Sequence, residues 1–183
     1  MSGENKLVLI CGALWLITKT VLHNFISLEL NVKAGVMLNL FLILLVAVFA
    51  IHQKVQSTKG HDYHFLDDLK TVLRATSKYV LFSVICLAIF NYGIAREATL
   101  IKKAGSLLSI DKRYDIPENY AELQATDFLL ENVSAEEAKA KQVERFELFS
   151  KWYVQLSLPF FALILAAIIY SLLASMLWRR LMK

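Results

Sequence analysis

Apolar residues along this chain gather into four runs, residues 7–25, 35–51, 79–95 and 153–178, separated by polar segments of unequal length. A helix that crosses a bilayer satisfies its own backbone hydrogen bonds and needs roughly 20 mostly apolar residues for a hydrocarbon core about 30 Å thick. The first and last runs reach that length, and the two shorter ones approach it once their flanking residues are counted. The pattern predicts an all-α integral membrane four-helix bundle, one membrane domain over residues 1–183, with an exterior helical segment, residues 96–152, between spans three and four.

Within the first run Gly12, Trp15, Lys19 and His23 recur at spacings of three and four, a single stripe facing protein or the headgroup region. Two outcomes are open for Lys19: snorkelling of its ammonium to the interface, or service as a paired or functional lysine. The second run, broken only by Asn39, reads as a lipid-facing support. Residues 60–78 change character. Phe65, Leu69, Val72, Leu73 and Thr76 follow helical spacing while Asp67, Asp68, Lys70 and Arg74 take the other faces. This predicts a short amphipathic interfacial helix that turns into or merges with the third span. Ala88, Asn91, Ala95 and Ala98 form a small-residue stripe for close helix approach, and Ala167, Ser171 and Ala174 form a second.

In the exterior segment, residues 96–105 continue the third helix and residues 106–120 break its periodicity. Pro117 suits the first turn of a new helix through about Asn132, with Tyr120, Leu123 and Phe128 as its buried contacts. Ser134 followed by Glu137 is a capping box, and Glu137 with Lys141 is an i,i+4 pair. Val143, Phe146, Phe149 and Tyr153 then run as a stripe directly into the fourth span, where Pro159 removes one backbone donor.

Composition agrees with lipid as solvent: 57% of 183 residues are hydrophobic and the mean hydropathy is +0.50. A net charge of +4 in a soluble domain would suggest nucleic acid, but here the basic residues gather at membrane edges, so no nucleic-acid partner is expected. Lys6, Lys54, Lys59, Lys70, Arg74, Lys78, Arg179, Arg180 and Lys183 fall on one side if four spans alternate, whereas the short loop at residues 26–34 holds only Lys33. Both termini are therefore expected to be cytoplasmic. The basic residues of the long exterior segment weigh less, because long segments translocate with little regard to charge. Cys11 and Cys86 lie inside apolar runs and act as small apolar side chains.

Chemical groups are sparse. His61, Asp62, His64, Asp67 and Asp68 are the densest set of potential metal ligands, but they match no defined spacing, and neighbouring acids on an amphipathic helix are usually solvated. No metal and no cofactor is expected. With no nucleophile elbow, phosphate loop, Cys-x-x-Cys pair or dinucleotide fingerprint, no enzymatic activity is expected either. Lys19, His23, Asn39, Asn91, Arg96, Glu97 and Gln155 share one end of the bundle under the alternating topology. They either line an outward-facing polar cavity or serve as interhelical and headgroup contacts.

A short first hairpin, then Phe65-Leu66-Asp67-Asp68-Leu69-Lys70, a third span ending Phe90-Asn91-Tyr92, an exterior helix opened by Ser134 and Glu137, Pro159, and a last span ending Arg179-Arg180 together form a layout. It resembles the small four-span inner-membrane proteins of Bacteroidetes, a family catalogued as a domain of unknown function. The resemblance implies a bacterial inner-membrane location and supplies no catalytic residue. The leading expectation is a non-enzymatic accessory or scaffold subunit, associating with another membrane protein or with itself through small-residue faces and the exterior segment. One alternative is a small transporter or channel component, which requires polar groups at several depths. Another is a membrane recruiter of a cytoplasmic enzyme such as a glycosyltransferase, which requires residues 65–77 to be free.

Overall fold

The computed structural model describes residues 3–57, 64–130 and 132–181. Among them are seven α-helices: α1 (Gly3–Phe25), α2 (Leu28–Ser57), α3 (Phe65–Ile89), α4 (Arg96–Asp115), α5 (Pro117–Thr126), α6 (Ala135–Ser150) and α7 (Trp152–Leu181). A π-helical turn, Phe90–Ile94, extends α3. Four stretches are long and apolar enough to cross a membrane: α1, α2, α3 with its π-turn, and α7. The chain divides into two compact units, residues 1–95 with 156–183, and residues 96–155.

The first unit is the four-span bundle, in which α2 buries one face and turns Met37, Phe41, Leu44 and Val48 outward, so the lipid-facing support is also a core helix. Ile43, Val46, Ala47, Ala50 and Ile51 are all buried, against Cys11 and Trp15 of α1, Val72, Tyr79 and Val80 of α3, and Leu163 and Ala167 of α7. An evenly apolar helix has no polar face to turn outward, so it suits the middle of a bundle as well as its rim. The other helices present Ile10, Ile17, Leu81, Ile85, Phe161 and Leu165 outward, the apolar exterior that a lipid solvent requires. Also, α2 starts seven residues before the apolar run, its first turn carrying a Glu29–Lys33 pair at 2.7 Å.

In α3 the amphipathic stretch and the third span merge into one helix. Its buried face is Asp68, Val72, Ala75, Thr76, Tyr79, Val80, Ser83 and Cys86, so the stripe that resembled a lipid-surface helix packs on the bundle core. Asp68 is buried there rather than solvated. The small-residue stripe expected at Ala88, Asn91, Ala95 and Ala98 is not one helix face. Ala88 and Asn91 are half-buried, the π-turn resets the winding, and Ala98 belongs to α4. The second stripe does pack: Ala167, Ser171 and Ala174 are all buried, and α7 runs through Pro159 as one helix.

The second unit packs α4, α5 and α6 around Ile110, Tyr114, Tyr120 and Ala138, with Val133, Val143 and Phe146 against them. Helix α4 continues to Asp115, through the region expected to lose periodicity, because Ile110 and Tyr114 supply its core face. Ile116 is extended, as a residue before proline must be, and Pro117 opens α5. That helix ends at Thr126, short of Asn132, leaving Leu123 half-buried and Phe128 exposed. The Ser134 hydroxyl accepts the Glu137 backbone N–H at 3.2 Å and opens α6. An extended Lys151 ends α6, so its apolar stripe does not run unbroken into the last span, and Phe149 and Tyr153 are exposed.

Candidate functional site

Three buried polar knots tie the span bundle together, each joining a different pair of helices. The first lies on the α1–α2 hairpin. Lys19 Nζ donates to the Asn31 side-chain oxygen at 2.8 Å and to its backbone oxygen at 3.2 Å, and Asn31 Nδ2 donates to the Lys19 carbonyl at 2.9 Å. Four residues back along α1 and four on along α2, Trp15 Nε1 donates to the Gly35 carbonyl at 2.9 Å, so both contacts share one antiparallel register. Gly35 is required by this register: a Cβ there would lie 2.9 Å from Lys19 Nζ.

Aromatic faces complete the cage. Nζ of Lys19 sits 4.8 Å from the Phe90 ring centroid and 5.6 Å from that of Trp15, and His23 meets Phe90 edge-on at 5.7 Å. Phe90 opens the π-turn, where Ala95 N–H donates to the Phe90 carbonyl at 2.7 Å. Lys19 is 4% exposed and makes no ion pair among the described residues. A lysine at the centre of a spanning helix costs about 2.5–3.5 kcal/mol. Two hydrogen bonds from a charged donor, each about 1.5–3 kcal/mol, and two ring faces are enough to offset that cost. The ammonium is accordingly held within the bundle and does not snorkel.

The second knot joins α2 to α3: Tyr79 Oη and Ser83 Oγ both donate to the Asn39 side-chain oxygen, at 2.7 and 2.8 Å. The third joins α3 to α7 through the hydroxyls of Thr76 and Ser171, 3.2 Å apart, with Ser171 also donating to the Ala167 carbonyl at 2.6 Å. One and two turns beyond, Ser175 Oγ and Trp178 Nε1 are buried without hydrogen-bond partners among the described residues, and the Trp178 ring meets His52 edge-on at 5.6 Å. Beyond the second knot α2 is wholly apolar from Leu42 to Ile51.

In the second unit the polar groups are at the surface. Lys139 bridges two carboxylates, 2.7 Å from Asp115 and 2.9 Å from Asp111, and the hydrogen bonds it donates, to Asp115 first and then Asp111, raise its pKa above the ordinary lysine value. A groove of about 320 Å³ between α4 and α5 is lined by Ser109, Lys112, Arg113, Asn119, Glu122 and Leu123. Its charges carry both signs, and Asn119 Nδ2 is engaged by the Lys112 carbonyl at 2.9 Å.

The polar residues expected at one end of the bundle fall into several local settings. Lys19 and His23 belong to the first knot and Asn39 to the second, Asn91 is half-buried in the π-turn, and exposed Arg96 and Glu97 open α4 in the other unit with Gln155. Sequence reasoning missed Asn31, Tyr79, Ser83 and Phe90. Asn31, Gly35 and Asn39 at intervals of four were the available signal, hidden because the helix was taken to begin at Gly35. His61 and Asp62 of the candidate metal cluster lie outside the described residues, among which no three His, Cys, Asp or Glu side chains cluster. No protein-family model matches this chain, and no curated protein or solved structure matches it.

Proposed function

We propose that this chain is a non-enzymatic accessory subunit of a bacterial inner-membrane complex, a member of the small four-span family of Bacteroidetes, with both termini cytoplasmic and residues 96–155 on the opposite face. One observation carries the reading: buried polar side chains of the spans join helices, Lys19 to Asn31, Tyr79 and Ser83 to Asn39, Thr76 to Ser171, with Ser175 Oγ and Trp178 Nε1 left without a partner among the described residues. Polar groups so engaged specify which helices meet and leave little to handle a substrate. The wholly apolar stretch of α2 from Leu42 to Ile51 gives a route through one copy no polar group from that helix, and burial of Val72 and Thr76 speaks against recruitment by residues 65–77. Association then falls to the second unit and to lipid-facing surfaces of the spans.

Affinity purification from native membranes in mild detergent, read by mass spectrometry, tests this. A membrane protein in fixed ratio, or a defined self-oligomer, is the expected result. A monomer with nothing bound would overturn the proposal.

A further inference from the structure

Helix α4 has two different halves. Its second half carries Ile110 and Tyr114 into the core of its unit, whereas residues 100–105 are exposed all round and nothing lies within 4 Å of a Cβ built at Gly105. On a helix of 3.6 residues per turn, Leu100, Ala104, Leu108 and Ile101 fall within an arc of about 100°. Leu100 is 55% exposed, Ile101 72% and Leu108 56%. Lys102 and Lys103 lie outside that arc and make no ion pair among the described residues. Over residues 96–113 five basic side chains stand against two acidic ones.

We propose that residues 96–108 are an anionic-lipid-binding helix, with Leu100, Ile101 and Leu108 in the acyl boundary and Lys102 and Lys103 on headgroup phosphates. Two observations favour lipid over a protein partner. Only Ala95 separates the span that ends at Ile94 from Arg96, so the covalent chain delivers the start of α4 to the bilayer edge. The apolar arc with a basic excess is the pattern that binds an anionic interface, and it needs no shaped groove. This assignment rests on the chain spanning a membrane and is independent of whether an accessory subunit is the correct function.

The test uses the full chain carrying Cys11→Ala and Cys86→Ala, with Ile101→Cys bearing a fluorophore, in vesicles of phosphatidylglycerol and phosphatidylcholine. The expected result is strong quenching by a shallow acyl-chain nitroxide and weak quenching by aqueous iodide, the reverse of an Ala121→Cys control. Lys102→Gln or Lys103→Gln should each lower the ratio of docked to undocked helix about fivefold, and pure phosphatidylcholine, which removes both attractions, should lower it about 25-fold. Leu108→Cys repeats the measurement should the label at 101 disturb the helix. Iodide quenching equal to the control would overturn the proposal. So would protection from both quenchers, which means protein contact, or acyl quenching that ignores headgroup charge and both lysines.

Discussion

Lys19 and Lys139 are both pinned by oxygen, in opposite ways. Lys19, inside the spans, is held by an asparagine and two aromatic rings, whereas Lys139, in the second unit, is held by two carboxylates. Burying a carboxylate beside Lys19 would add a second desolvation cost of several kcal/mol, so neutral dipoles are the less costly partner in the spans. Near water that cost is small, carboxylates are admissible, and screening leaves the pair little net value. The same bond lengths thus carry different weight in the two regions.

Asn31→Leu presses the contrast hardest, because it strands a buried ammonium. A loss of about 3–5 kcal/mol is expected. Lys19→Met added to it should recover most of that loss, since the stranded charge is then gone. Denaturant unfolding in micelles measures both, and a double variant no more stable than Asn31→Leu would refute the cage. Next comes Asn39→Leu, which leaves the Tyr79 and Ser83 hydroxyls without their shared acceptor and should cost about 1–2 kcal/mol by the same assay. At the small end, Asp115→Asn should leave amide exchange across residues 110–146 unchanged. A raised folded pKa stabilises fully below the unfolded value and is lost only as pH climbs through the folded one. Lys139 should therefore add no pH dependence below the ordinary lysine range. A clear loss near neutral pH would erase the distinction between the two lysines.

The spans were legible because lipid imposes a length, and the Ser134 cap because its signal lies within four residues. Ordering within the bundle was not legible. The evenly apolar α2 has no face to read, and whether such a helix is central or peripheral depends on its neighbours. The fate of Lys19 turned on Asn31, which sits in a helical turn too polar to join the apolar run, and on Phe90, whose approach accompanies a π-turn that has no apolar signature. The end of α4 falls later than expected because Ile110 and Tyr114 pack on Tyr120 of α5 and Ala138 of α6, partners outside their own helix.

Gly35 has a bearing on synthesis. With Lys19 lying across it, Asn31 reaches the ammonium from the neighbouring span, and only two residues, 26 and 27, link the two helices. As the polypeptide leaves the ribosome, that charge acquires its neutral ligand from only 12 residues further along the chain, so these two crossings can partition into lipid as a preassembled pair. A bulkier residue at 35 would remove that early shelter, and the first defect would be in the yield of inserted chains.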